Sequence, residues 1–162
     1  MAMSDIHVLT IDQVSEGQDL PELSVDVTAT TVVLGAVASR DWRPMHHDKD
    51  FAVERNGTRH IFINTPHNAA YFERYVTDWT GPHGRLGKIQ FRMKDSVFPG
   101  DTMVFHGNVE GVETDDAGCG WLQLRLWLSV GDKTNTECNA RVAVPAREGD
   151  NPWKRRGDAW KP

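Results

Sequence analysis

Asp41 and His46 stand five residues apart in the segment RDWRPMHHDKDFA, residues 40–52, and they bracket Pro44. Proline fixes its own φ and holds the preceding residue extended, so the chain can turn here and bring the two side chains to one point. A carboxylate and an imidazole about 3 Å from a shared water can activate that water and shuttle its protons. The spacing therefore allows acid–base chemistry on a bound substrate.

The same residue types fit two other roles. In the simpler one, which spacing alone favours, Asp41 caps the next turn and His46 is a loop histidine with its hydrogen bonds satisfied. In the other, His46, His47 and Asp48 bind a metal ion. Adjacent side chains diverge in any regular backbone, and cysteines at zinc-ligand spacing are absent from the sequence, so we expect no metal site.

The elements around this segment are predicted from capping and stop signals. Residues 11–23 are polar and contain glycine and proline, which indicates an N-terminal arm. A strand and then a short helix should follow, with Thr28 as N-cap and small apolar residues at 32–38, so that Asp41 lies just past the helix end. Residues 47–57 predict another short helix, which ends at Gly57.

The longest predicted helix lies in TPHNAAYFERYVTDWTGP. Thr65 has the N-cap type, Pro66 suits the first helical position, and Gly81-Pro82 is a stop signal. Apolar residues recur on nearly every side of this helix. We therefore expect it to be buried over most of its surface.

From residue 85 onward the hydrophobic pattern has a period of two, which predicts strands. Three long antiparallel strands in a row follow the half-buried segment LGKIQFRMKDSVF, with turns at Pro99-Gly100-Asp101 and Asp132-Lys133. Strands that follow a helix apolar on nearly all sides suggest a sheet curling around that helix. The predicted fold class is α+β, with helix and sheet segregated.

Composition excludes several classes of protein. A chain of 162 residues fits one domain, and no apolar run approaches the roughly 18 residues of a membrane helix. The N-terminus lacks the basic start and apolar core of a secretory signal, so we expect a cytoplasmic protein. The net charge of −5 argues against nucleic acid as a partner.

Two features remain outside this scheme. Cys119 and Cys138 fall in neighbouring predicted strands, where free packed thiols are expected and a disulfide is geometrically allowed. The C-terminal residues 147–162 carry five basic residues with Trp153 and Trp160. Three roles stay open for this tail: a solvated terminus, a surface that docks on a partner subunit, or a contact with phosphates.

The segment TATTVVLGAVASRDWRPMHHDKDFA resembles the hydratase signature of MaoC-like dehydratases and (R)-specific enoyl-CoA hydratases. Six positions match without a gap: Thr28, Asp41, Pro44, His46, Asp48 and Ala52. The likeness continues in VSEGQDLPEL and RYVTDW and spans most of residues 12–145. It implies a hotdog fold for residues 1–146, in which a curved antiparallel sheet wraps around one long helix.

The resemblance also implies the site. The family's catalytic dyad maps onto Asp41 and His46, and the backbone amide that polarises the thioester carbonyl maps onto Thr65. Asn64, Arg43 and Pro44 are the implied substrate-binding positions. The implied activity is hydration of a 2-enoyl-CoA or the reverse dehydration, with no cofactor, because coenzyme A is part of the substrate.

This sequence departs from the family pattern at two points. The signature glycine and asparagine are Arg40 and Arg43, and the family's His-Gly pair at the helix start is Asn64-Thr65. Three segments, ASRDWRPMHHDKDFA, IFIN and RYVTDWTGP, resemble the small subunit of the heteromeric enoyl-CoA hydratases of actinobacterial steroid side-chain degradation more than they resemble the short-chain homodimeric enzymes. The expected partner is thus an acyl-CoA substrate together with a second hotdog subunit or a second copy of this chain.

Two rival functions remain. A hotdog thioesterase usually carries its acid on the central helix, where this chain offers Glu73. A non-catalytic subunit or acyl-CoA binding module would account for the bulky Arg40 and Arg43. Both rivals keep the hotdog fold and differ from a hydratase in what Asp41 and His46 do.

Overall fold

The computed structural model describes residues 7–162, which form a five-stranded antiparallel sheet and two α-helices. The strands lie in the order β1-β3-β4-β5-β2. Their bounds are Asp19–Asp26 for β1, Arg85–Met93 for β2, Thr102–Thr114 for β3, Gly120–Val130 for β4 and Lys133–Val144 for β5. The helices are α1, Ala29–Ala38, and α2, Thr65–Thr80.

The predicted α+β class is confirmed. β3, β4 and β5 form a meander, and β2, which follows α2 directly in the chain, pairs with the far side of β5. The period-two pattern arises because alternate side chains of these strands face the core. The tight turn between β4 and β5 is Gly131-Asp132, one residue earlier than predicted, since Gly131 supplies the positive φ of 56° that the turn needs.

β1 corrects the prediction of a polar arm over residues 11–23. The second half of that segment lies in the strand, where it pairs with β3 at the edge of the sheet. Its register with β3 shifts between Leu20 and Leu23, around Pro21. Proline is tolerated at a bulge of an edge strand, because there its missing N–H breaks no ladder hydrogen bond.

α2 packs one face against the sheet. Phe72 is fully buried, with its ring 5.2 Å from that of Phe105 on β3 and 6.3 Å from that of Phe91 on β2. The opposite face, with Ala70 and Glu73, is exposed. The expectation that α2 is buried over most of its surface was therefore wrong, because the apolar residues that seemed to encircle it include Ala70, which is small enough to remain in solvent.

The smaller elements differ in part from their predictions. Helix α1 begins after Thr28, whose hydroxyl accepts the Thr31 amide as an N-cap. Within the helix predicted over residues 47–57, residues 49–55 are helical, Phe51–Arg55 as one π-helical turn, and Gly57 follows with a φ of 71°. The N-cap of α2 is Asn64, and Thr65 is already its first helical residue.

Cys119 and Cys138 are both free and buried, so the predicted packed thiols are confirmed over a disulfide. Burial raises the pKa of the Cys138 thiol to about 12.

Residues 147–162 fold back onto the sheet. The Trp160 ring lies 4.9 Å from that of Trp121 on β4, and the Arg85 guanidinium lies 3.6 Å from the Trp160 ring. Arg85 also donates to the carbonyls of Pro152 and Arg155. This segment is therefore packed against its own chain, away from Asp41 and His46.

Candidate functional site

Asp41 is positioned by the way α1 ends. The Arg40 amide bonds to the Val37 carbonyl and the Asp41 amide bonds to the Ala36 carbonyl, which is the Schellman pattern of helix termination. That pattern requires a left-handed residue just past the helix, and Arg40 takes this role with a φ of 53°. Glycine fits such a position without strain, which explains why the family signature has glycine here.

His46 is positioned by a turn that begins at Pro44. Residues Pro44–His46 form one 3-10 turn, and the His46 side chain is 4% exposed. Its Nδ1 lies 2.8 Å from the Phe62 carbonyl oxygen. Because a carbonyl only accepts hydrogen bonds, Nδ1 carries a proton and donates it there, which leaves Nε2 as the atom available for proton exchange.

The structure brings the two predicted dyad residues together. His46 Nε2 lies 3.6 Å from Asp41 Oδ2, and the Asp41 side chain is 9% exposed. A water molecule bound at His46 Nε2 would therefore lie next to the Asp41 carboxylate. The simpler interpretation, a turn-capping Asp41 and a hydrogen-bonded loop His46, fits the separate contacts of each residue but gives no role to their 3.6 Å approach.

Asn64 links this pair to the start of α2. Its side-chain amide donates to Asp41 Oδ2 at 3.0 Å and to the Ser39 hydroxyl at 2.8 Å, while its carbonyl oxygen caps α2 by accepting the His67 amide. Both amide hydrogens of Asn64 are therefore in use within the protein. This geometry makes Asn64 a residue that positions Asp41, and its predicted contact with substrate stays a prediction.

The first turn of α2 leaves one backbone donor without an acceptor among residues 7–162. Pro66 has no N–H, and the amides of His67 and Asn68 bond to the side chain and the carbonyl of Asn64. The Thr65 amide is what remains. A free N–H at a helix start attracts a negatively charged oxygen, and this one belongs to the residue next to Asn64.

Arg43 is bonded to the dyad in place of the family asparagine. Its Nε lies 2.8 Å from Asp41 Oδ1 and its Nη2 lies 2.7 Å from Asp41 Oδ2. The Arg43 guanidinium, with a smaller contribution from the Asn64 amide, holds the pKa of the Asp41 carboxyl well below its usual range. Asp41 is consequently an ionised carboxylate throughout the physiological pH range.

An open apolar groove with a volume of about 490 Å³ lies between α1 and the first two turns of α2. Leu34, Pro66 and Tyr71 contribute to its walls, and Ser39 connects it to Asn64 and the dyad. His67 also lines it, and burial lowers the pKa of that imidazole. Grooves of this size and character suit an apolar ligand of moderate bulk.

Gly35 and His67 are site residues that the sequence reasoning missed. A Cβ built on Gly35 would lie 1.8 Å from His67 Nδ1, so the imidazole occupies space that only glycine leaves open. His67 Nδ1 has no hydrogen-bond partner among the described residues. The signal was a glycine in the middle of an otherwise apolar helix, which usually marks close packing.

The other candidates from the sequence lie apart from the dyad. Asp48 accepts the Phe51 amide and so caps the next turn, and His47 is exposed. Among residues 7–162 no three histidine, cysteine or acidic side chains are grouped as metal ligands. Glu73 is exposed and does not line the groove.

Comparisons with known proteins identify the family of this chain. The family model described as MaoC like domain matches residues 13–119. The beta subunit of the 3-oxo-4,17-pregnadiene-20-carboxyl-CoA hydratase of Mycobacterium tuberculosis is 38% identical over 96 residues, which cover 59% of this chain and 74% of the relative.

Solved structures share the fold. A chain of the ChsH1-ChsH2 complex from Mycobacterium tuberculosis superposes with a TM-score of 0.73 and 29% identity, covering 80% of this chain and 98% of that one. An (R)-hydratase from A. caviae involved in PHA biosynthesis gives a TM-score of 0.69 at 22% identity, covering 82% and 98%. The predicted hotdog fold is confirmed by these likenesses. In the part of the chain that the structure describes, no helix combines the length and hydropathy needed to span a membrane.

Proposed function

The chain belongs to the MaoC-like domain family of dehydratases and hydratases, and we propose that it adds water across the 2,3 double bond of an enoyl-CoA thioester. The observation that carries the proposal is the 3.6 Å approach of His46 Nε2 to Asp41 Oδ2 beside the free amide of Thr65. The same groups in reverse would dehydrate a 3-hydroxyacyl-CoA.

The proposed reaction needs a group that takes a proton from water, a hydrogen-bond donor for the thioester oxygen and a group that returns a proton to the α-carbon. One water is bound at His46 Nε2, next to the Asp41 carboxylate, and a proton leaves it as its oxygen bonds to the β-carbon. The electron pair of the double bond moves towards the thioester, whose oxygen becomes negative and is stabilised by the Thr65 amide. A proton returned to the α-carbon completes the addition, so that the elements of one water are consumed and no other reactant is needed.

No separate cofactor is part of the proposal. The thioester carbonyl itself makes the α-carbon acidic and the β-carbon electrophilic, and a hydrogen-bond donor at the carbonyl oxygen strengthens both effects. Coenzyme A enters as part of the substrate.

The substrate and partner are proposed from the relatives together with the groove. The M. tuberculosis relative is a beta subunit that acts on a pregnadiene-carboxyl-CoA, and the similar solved structure is a complex of two proteins. In this chain the groove is open; Leu34 in its wall is 61% exposed, and Trp42, the residue after Asp41, is 68% exposed. We propose a bulky polycyclic acyl group, with a second hotdog chain closing the groove over it.

The two rival functions have less support in the geometry. A thioesterase acid at Glu73 would act from an exposed helix face outside the groove. A non-catalytic subunit would leave the Asp41–His46 approach and the free Thr65 amide without a role. Neither rival is favoured by an observation of its own.

The test measures hydration and thioester hydrolysis in the same mixture. Purified chain, alone and with a second hotdog chain, is mixed with crotonyl-CoA or with a polycyclic 2-enoyl-CoA. Loss of the conjugated-thioester absorbance reports hydration, and release of free thiol reports hydrolysis. We expect hydration of the bulky thioester, strongest with the second chain present, and no thiol release. Glu73→Gln should leave hydration unchanged, whereas thiol release abolished by Glu73→Gln would establish the thioesterase.

A further inference from the structure

The Asp41 carboxylate has no acceptor position left for a water molecule. Oδ1 accepts the Arg43 amide at 3.3 Å and Arg43 Nε at 2.8 Å, and Oδ2 accepts Arg43 Nη2 at 2.7 Å and Asn64 Nδ2 at 3.0 Å. An ionised carboxylate offers about four lone-pair positions, and here all four are used within the protein. Three of the four donors belong to Arg43, a residue that stands where the family has asparagine.

The other half of the pair is open. His46 Nδ1 is fixed on the Phe62 carbonyl, and Nε2 has the Asp41 carboxylate at 3.6 Å, which is too far for a direct hydrogen bond. An unprotonated Nε2 keeps its lone pair free for a water. Of the two dyad residues, His46 is therefore the one that can bind and deprotonate it.

We propose that Arg43 is a positioning residue that withdraws Asp41 from proton exchange and makes His46 Nε2 the single base of the site. The inference rests on the proposed hydration and specifies its proton path. The water proton moves to Nε2 while the hydroxyl oxygen bonds to the β-carbon, and the imidazolium then returns that proton to the α-carbon. Asp41, kept anionic by Arg43, stabilises the imidazolium between the two steps.

Arg43 also balances charge around His46. The Arg43 side chain is 62% exposed, and its guanidinium contacts Asp41 Oδ2, the oxygen that lies 3.6 Å from His46 Nε2. Helix α1, which packs against the Pro44–His46 turn, has no charged residue. Within residues 7–162, Asp41 is the one acidic group within 4 Å of the imidazole. The other segments packed against His46 are residues 47–56 and the loop 57–63, and their charged or titratable groups are His47, Asp48, Lys49, Asp50, Glu54, Arg55, Arg59 and His60.

Removing the Arg43 charge should shift the protonation of His46 in a defined direction. The Asp41 carboxylate would then face His46 without compensation, which favours the protonated imidazole. The protonation of His46 should therefore shift to higher pH, and a unit charge lost from a neighbouring side chain shifts such an equilibrium by about 0.5 to 2 units, depending on the effective dielectric constant. Hydration needs the neutral imidazole, so its acid limb should move in the same direction.

The experiment compares full-length Arg43→Met, Arg43→Gln and Arg43→Lys with the wild type. The His46 ring signal, assigned by its loss in His46→Gln, is followed by NMR over pH, and the pH dependence of hydration is measured in parallel. We expect the titration midpoint and the acid limb to rise by at least about 0.5 unit in the two neutral variants. In Arg43→Lys, which keeps the charge, both should stay close to wild type.

The outcomes are decisive in both directions. An unmoved midpoint in a folded neutral variant, or an equal shift in Arg43→Lys, would overturn the proposal and reduce Arg43 to a structural contact. Having two neutral variants of different side-chain chemistry keeps the test valid if one of them does not fold. Wild-type chain that hydrates no enoyl-CoA while the predicted NMR shift occurs would count against the proposed function and leave the Arg43–Asp41–His46 coupling standing.

Discussion

Asn64 Nδ2 donates to Asp41 Oδ2 across 3.0 Å, so the N-cap of α2 is bonded directly to the candidate dyad. The same side chain accepts the His67 amide and donates to Ser39 at the end of α1. One buried amide thus fixes the end of one helix, the start of another and the carboxylate between them.

Asn64→Ala should reduce both stability and activity. Loss of the cap should lower the free energy of unfolding by about 1–2 kcal/mol, measured by urea denaturation. Hydration should fall further than this instability explains, because Asp41 loses a donor. The matched control is Thr28→Ala, which removes the N-cap of α1 without touching Asp41. Equal activity losses in the two variants would contradict the positioning role of Asn64.

Arg40→Gly should stabilise the protein. Arg40 holds a left-handed conformation with a φ of 53° at an exposed position, which costs a residue with a Cβ about 1 kcal/mol relative to glycine. We expect the urea midpoint to rise in Arg40→Gly and to stay near wild type in Arg40→Ala, which keeps the Cβ. A rise of equal size in both variants would assign the effect to the arginine charge and not to the backbone.

Gly35→Ala should destabilise, although the same change in an ordinary helix interior stabilises by about 1 kcal/mol. The new Cβ would collide with the His67 imidazole, because a Cβ with ideal geometry on residue 35 lies 1.8 Å from His67 Nδ1. Thermal melts of Gly35→Ala, His67→Ala and the double variant form a cycle that isolates this contact. The double variant should recover most of the stability lost in Gly35→Ala, and strictly additive losses would refute the contact.

Trp160→Ala should cost more stability than Trp153→Ala. Trp160 packs between Trp121 and Arg85, whereas Trp153 is 51% exposed. We expect a loss of about 2 kcal/mol for Trp160→Ala and less than half of that for Trp153→Ala, by urea denaturation of the full chain. Equal, negligible effects would show that residues 147–162 do not stabilise the sheet in solution.

Much of this architecture could be predicted from the sequence because its signals are local. The period-two segments, the Thr28 cap and the Gly81 stop each depend on a few neighbouring residues. The spacing of Asp41, Pro44 and His46 allowed a dyad, and the resemblance to the hydratase signature favoured it. The strand before α1 was predicted, but its first residues, 19–23, were assigned to the polar arm, because Pro21 normally ends a strand unless it lies at an edge bulge.

The contacts that define the site were not predictable, because they join segments distant in the chain. Nothing near Asn64 in the sequence indicates that its amide reaches back to residues 39 and 41, or that His67 fills the space above Gly35. The two side-chain hydrogen bonds from Arg43 to Asp41 join residues that are close in the chain. The sequence still does not predict them, because it does not say which rotamers the two side chains adopt.

The most direct measurement is hydration of a polycyclic 2-enoyl-CoA by wild type, Asp41→Asn and His46→Gln, each folded by circular dichroism and assayed with the same second hotdog chain. If Asp41 and His46 carry the reaction, both variants should lose at least about 100-fold in kcat while the wild type remains active. Activity within a few-fold of wild type in either variant would contradict the account and favour a non-catalytic role for this chain.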